Sequence, residues 1–221
     1  MASKAHRVVQ GLVGGCAVLL GVALSGCAAP QYTYVANSST NTYFKVPYAW
    51  HKISDSSLSS ELKSATGGAG GGWTVAYEAG HQPKAGDFLS FATAHPFVFA
   101  EVGQLSSTAS SALSYDSLRD FFLPVTSTAR QNATTQGFPL TGFTQIRDQV
   151  LTLGQGVHGV RETFDYTFTG GTADTFDEVA LTNADQTSVY LLVLHRTTSC
   201  YSRDQTQIND VMSSFTIRSQ Q

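Results

Sequence analysis

The sequence predicts an α+β fold: one domain in which helices pack on an antiparallel sheet. Three observations carry that expectation. Val157 to Phe168, Thr175 to Thr182 and Thr187 to Arg196 are strand-like runs, separated by Gly170-Gly171 and Asn183-Ala184-Asp185, which is the pattern of a meander. Val189 to Leu194 (VYLLVL) is apolar on both faces and reads as the central, fully buried strand. Ile208, Val211, Met212 and Phe215 recur at helical spacing, one apolar stripe that has to pack on a sheet.

The elements follow in chain order. Ala28 to Asn41 is polar, has no helical period, and is expected to be a tether. Tyr43 to Val46 reads as a strand that Pro47 breaks, and Trp50 to Ile53 as a second. Ser54 to Ala65 is a helix candidate with Leu58 and Leu62 one turn apart. Thr66 to Gly72 holds five glycines, but no Gly-Lys-Ser/Thr follows and Trp73 to Glu78 alternates as a strand, so a loop is expected and not a phosphate cradle. Ala79 to Asp87 is a Gly/Pro loop, and Phe88 to Phe91 and Phe97 to Val102 are expected strands. Tyr115 to Leu123 is a helix that Ser114 or Asp116 caps and Pro124 ends, with Leu118, Phe121 and Phe122 turned inward. Thr126 to Leu140 is expected to be a surface loop. Ser202, with Gln205 in the capping-box position, opens the last helix, and Phe215 to Arg218 is a short strand.

A strand followed by Pro47-Tyr48-Ala49-Trp50, a late meander, and a last helix running into Ser214-Phe215-Thr216-Ile217 together resemble the PsbP/LpqN-like α/β/α sandwich. The resemblance covers roughly residues 42–218, with a departure between Gly67 and Leu140 where extra loops intervene. It implies an exported lipoprotein of actinobacterial type, and an interaction module more than an enzyme. Function has to be argued from sites, because fold does not fix it.

The N-terminus supports export. Lys4 and Arg7 precede a stretch from Val8 to Leu24 without a charged residue. It ends in Leu24-Ser25-Gly26-Cys27, which resembles the lipobox of bacterial lipoproteins. Small Ser25 and Gly26 suit a peptidase groove, and Cys27 offers the sulfur that takes a diacylglyceryl group. The expected division is a signal peptide over 1–26, a lipidated tether over 27–41 and a single extracytoplasmic domain over 42–221. Two acyl chains hold stably where one binds reversibly, so the chain is expected at the cell membrane, anchored on the extracytoplasmic face.

Composition narrows the partners. A formal charge of −3 argues against nucleic acid, and against adhesion to anionic lipid beyond the anchor. With Cys16 in the signal segment and Cys27 acylated, Cys200 is the cysteine left, expected as a small buried hydrophobe. Ser60-Glu61-Leu62-Lys63 matches Ser-x-x-Lys, but the companion motifs Ser-Asp-Asn and Lys-Thr-Gly are missing. His51, His81, His95, His158 and His195 offer no pair one helical turn apart to clamp a metal, and neither metal nor cofactor is expected. Asp174, Asp177 and Glu178 read as a solvated turn. Tyr43, Tyr48, Trp50, Trp73 and Tyr77 are core candidates, with Trp50, Trp73 and Tyr77 the ones to face a ligand if a cleft exists. The expectation is a non-enzymatic binding or adaptor module of the cell envelope with a protein partner; the alternative is a carrier of a small apolar ligand or lipid.

Overall fold

The computed structural model describes residues 31–66, 72–80, 82–90, 95–168 and 171–218. It opens with β1 (Tyr32–Asn37) and β2 (Thr42–Pro47), antiparallel across a turn in which Asn41 takes φ +51°. Folded structure thus begins ahead of Thr42, inside the stretch expected to be a tether. The reason is period-2 alternation: Val35 lies buried opposite Phe44, while Tyr34 points outward opposite Lys45.

Next come β3 (His51–Lys52), α1 (Asp55–Thr66), β4 (Trp73–Glu78), α2 (Ala85–Ser90) and β5 (Phe97–Gln104). Phe88 to Ser90, expected in a strand, belong to α2. A four-residue apolar run does not separate strand from helix, and the Asp87 amide donating to the Lys84 carbonyl sets the helical turn. Phe91 and the glycines 67–71 lie outside the described residues.

Three short helices follow: α3 (Ser107–Ser111), α4 (Tyr115–Arg119) and α5 (Ser127–Thr135). Ser114 and Ser117 form a capping box at α4, which ends earlier than expected, leaving Phe121 37% exposed. Helix α5 replaces the expected loop. Thr126 accepts from the Ala129 amide at its start, and none of its residues is buried, so no apolar period marks it in the sequence.

The remaining strands are β6 (Leu140–Thr152), β7 (His158–Phe168), β8 (Ala173–Thr182) and β9 (Ser188–Thr197), with one 3₁₀ turn at Gly154–Gly156. Helix α6 (Thr198–Met212) and β10 (Thr216–Ile217) close the fold. α6 begins ahead of Ser202, running on directly from β9 with Thr197 at its cap position.

Seven strands form one antiparallel sheet in the order β3-β4-β5-β9-β8-β7-β6, and β1-β2-β10 form a second, small one. β9 is the middle strand of the seven, and Val189 to Leu194 are buried on both faces, as the sequence implies. α6 and the small sheet cover one face, where Ile208, Val211, Met212 and Phe215 pack on Leu192 and Leu194. α1, α2 and α4 cover the other, where Leu58, Ala85 and Leu118 pack with Phe97, Phe99, Phe164 and Phe176. The result is the expected α+β sandwich of helices on both faces of a sheet.

Candidate functional site

Among the described residues β6 is the outermost strand of the large sheet, with β7 as its one strand neighbour. Its register slips between Thr141 and Thr144 and again between Gln145 and Arg147. Ile146 is the extra residue of the second bulge and stands 55% exposed. Val150 at 49%, with Phe138 at 50% and Leu153 at 39% on the flanks, extends this into a series of exposed apolar side chains along one edge. Bulges bend an edge strand and interrupt its ladder, which disfavours addition of another strand. A partner therefore meets side chains here more than backbone.

Where α5 meets the start of β6 lies a cleft of about 180 Å³, lined among others by Arg130, Phe138, Phe143 and Tyr166. The Arg130 guanidinium stands 4.3 Å over the Phe143 ring, and its Nε donates to the Val125 carbonyl at 3.1 Å. Tyr166 donates its hydroxyl to the Pro124 carbonyl. The cleft is below the ~300–1,000 Å³ of pockets that enclose a small molecule. Two larger hollows are troughs open to solvent, of about 800 Å³ beside Ser60, Lys84 and Asp87, and about 730 Å³ beside Leu153, Phe215 and Arg218.

Behind the edge lies a buried acid cluster. Glu162 of β7 and Glu178 of β8 stand directly opposite each other, both wholly inaccessible. Arg119 of α4 bridges Asp116 at 2.9 Å, Asp148 of β6 at 3.0 Å and Glu162 at 3.4 Å. Burial pushes the Glu162 carboxyl up to about 7; the Asp148 and Asp120 charges add to the effect, while Arg119 and the Gln145 amide oppose it. Glu178 is raised by burial first and then by the Glu162 charge. Asp174 rises to about 6 through burial. On the opposite face Asp177 accepts two bonds from Arg161, at 2.9 and 2.8 Å, and one from the Tyr201 hydroxyl at 2.9 Å. The expectation of a solvated turn at Asp174, Asp177 and Glu178 is therefore corrected. All three are buried, because β8 runs between β7 and β9 with a packed layer on each face.

Leu24, Ser25, Gly26 and Cys27 lie outside the described residues, as does His81. Trp50 at 6% and Tyr77 at 9% exposure, with half-buried Trp73, do converge, but as filling of the core layer beneath α6. Ser60 and Lys63 sit exposed on α1. His195 is stacked on Phe97 at 5.6 Å and faces the tilted Phe176 ring at 5.7 Å between ring centres, and burial pushes it down to about 3. Cys200, expected to be buried, is half-exposed on the first turn of α6, where hydrogen bonds to Thr197 and Ser199 lower its thiol. Among the described residues no group of three or more His, Cys, Asp or Glu is placed to hold a metal ion, and no helix is long and apolar enough to cross a membrane. Sequence reasoning missed the β6 edge; its signal, Ile146 and Val150 among polar neighbours, is too sparse to mark a face.

No protein-family model matches the chain, and no curated protein matches it. Among solved structures, the cyanobacterial PsbP protein CyanoP from Synechocystis sp. PCC 6803 is similar at 13% identity and TM-score 0.50, covering 94% of this chain and 100% of its own. LpqN of Mycobacterium tuberculosis, described as involved in cell envelope biogenesis, is similar at 14% identity and TM-score 0.45, covering 86% of this chain and 91% of its own. The Ran-binding protein Mog1p of Saccharomyces cerevisiae is similar at 7% identity and TM-score 0.45, covering 84% and 95%. The fold is like that of the PsbP protein CyanoP, an α+β sandwich as the sequence implies.

Proposed function

We propose that this protein is a lipid-anchored extracytoplasmic lipoprotein whose domain is a non-enzymatic binding module of the cell envelope. The anchor reading rests on Leu24-Ser25-Gly26-Cys27 after an uncharged run. The binding reading is carried by one observation, the exposed apolar side chains of Phe138, Ile146, Val150 and Leu153 along the bulged β6 edge. Exposed apolar surface costs free energy in water and is a feature of interaction sites. The partner is an envelope protein that docks its own apolar side chains there. The carrier reading has less support, since Trp50 and Tyr77 fill the core and the cleft at Arg130 is small.

The test is capture from intact cells with a photo-crosslinking residue in place of Ile146. A discrete protein adduct is expected, lost when Val150 is changed to Lys and not formed when the crosslinker replaces Gln207 on α6. Capture that ignores Val150→Lys would dismiss the edge as the binding surface. In parallel, Cys27→Ala should abolish incorporation of a clickable fatty acid; undiminished label would dismiss the anchor.

A further inference from the structure

We infer that the outward face of the β1-β2-β10 sheet lies against the lipid headgroups, making a second membrane contact beside the acyl chains. This rests on the lipid-anchor reading and follows from the early start of β1. Four residues lie between Cys27 and Tyr32, so the two are five steps apart, a reach of at most about 18 Å at ~3.3–3.6 Å per step. The end of β2 sits at the same place, with the Tyr48 amide donating to the Gln31 carbonyl at 2.9 Å. An acylated Cys27 therefore holds this small sheet, and not the domain at large, beside the bilayer.

The face has the chemistry of that location. Val35, Phe44 and Val46 point into the core, so Tyr32, Tyr34, Tyr43 and Lys45 point out. Tyr34 is 81% exposed, and Tyr48, at the entry point, 62%. Lys45 Nζ stands 4.1 Å over the Tyr32 ring, and the Arg218 guanidinium 4.8 Å over Tyr43. Tyrosine favours the membrane–water boundary, where its ring is partly buried and its hydroxyl stays wet. Lysine and arginine beside it meet anionic headgroups.

Charge segregation points the same way. The chain carries 16 acidic against 13 basic residues, yet no Asp or Glu occurs from Ala28 to Ser54 or after Asp210. These two segments supply all three strands of the small sheet. Asp210, which accepts the Tyr32 hydroxyl at 2.7 Å, is the acid at its margin. A net acidic balance argues against adhesion to anionic lipid when the chain is averaged; the small sheet is where that average fails.

The test uses the acylated full-length protein on vesicles containing phosphatidylglycerol, with hydroxyl-radical footprinting of its tyrosines. Tyr34 and Tyr48 should oxidise several-fold more slowly than in the doubly charge-reversed variant Lys45→Glu/Arg218→Glu. Tyr115, on the opposite face of the large sheet, should oxidise equally in both and so report an intact fold. Equal oxidation of Tyr34 and Tyr48 in both proteins, while both still float with the vesicles, would overturn the membrane contact and leave the anchor standing. A chain that carries no acyl group and does not float would overturn the anchor reading, and this inference with it.

Discussion

Replacing Glu162 with Gln isolates the cost of the buried acid cluster. The carboxyl is raised from 4.5 to about 7 in the folded protein, chiefly by burial. A rise of that size corresponds to roughly 3.4 kcal/mol, at ~1.36 kcal/mol for each pH unit. Solvent reaches Arg119 and Asp148 at the sheet edge, with side chains 17% and 38% exposed, and screens part of this, leaving about 2 kcal/mol. The sign follows from proton counting. Between 4.5 and about 7 the folded state holds a proton that the unfolded state has released, so stability falls as pH rises through that window. Above it the penalty is complete. Glu162→Gln removes the ionisation while keeping the shape and an acceptor for Arg119. Urea unfolding at pH 8 should therefore show the variant about 2 kcal/mol more stable than the parent, and the difference should shrink towards zero near pH 4.5. A variant that is less stable at pH 8 would mean that the bridge to Arg119 outweighs burial, and the account of the cluster would be wrong.

Substitutions on the other face test its packing and its ion pair. Phe215, just past the end of α6, is 7% exposed and meets Phe44 edge-on at 6.3 Å, so Phe215→Ala should cost about 3–5 kcal/mol, while Gln207→Ala, exposed on α6, should cost little. Thermal melting should show this as a fall of roughly 6–20 °C for a chain of this size, and an unchanged midpoint would refute the packing of Phe215 against the small sheet. Arg161→Met strands the wholly buried Asp177 charge and should destabilise by about 3–5 kcal/mol in the same assay. Adding Asp177→Asn should recover much of the loss, and no recovery would show that the ion pair is not the source.

What was legible in the sequence, and what was not, divides along physical lines. Val189 to Leu194 announces the centre of the sheet because both of its faces meet apolar layers and every residue in the run is apolar or aromatic. The α6 stripe was readable because that helix has one buried and one wet face. β6 was not, since an edge strand with two bulges loses period-2 alternation at each slip, and its Arg147, Asp148 and Gln149 look like loop. α5 buries none of its residues, so composition suggested a loop and the Thr126 cap was its one local signal. Asp174, Asp177 and Glu178 were misplaced for another reason. Whether an acid in a strand is wet depends on what the chain stacks over it: Arg161 and Tyr201 reach Asp177 from distant positions, and Glu178 lies opposite Glu162 under the α4 layer. Of the proposed sites, the anchor at Cys27 rests on local residue types alone. The β6 edge and the tyrosine face needed the strands to be paired first.

The hairpin of β1 and β2 also determines how the domain responds to mechanical load. A pull on the N-terminal segment enters at Tyr32, which pairs with Pro47, where β2 leaves for the body of the protein. Force applied across the open end of a hairpin opens its rungs one after another instead of shearing them together, and so meets low resistance. Under tension β1 would peel away first, leaving the seven-stranded sheet whole. Residues 32–41 would then become slack, adding about 33 Å of reach at ~3.3 Å per residue. A strand that is folded at rest can in this way serve as spare length, lengthening the N-terminal connection without tearing the core of the domain.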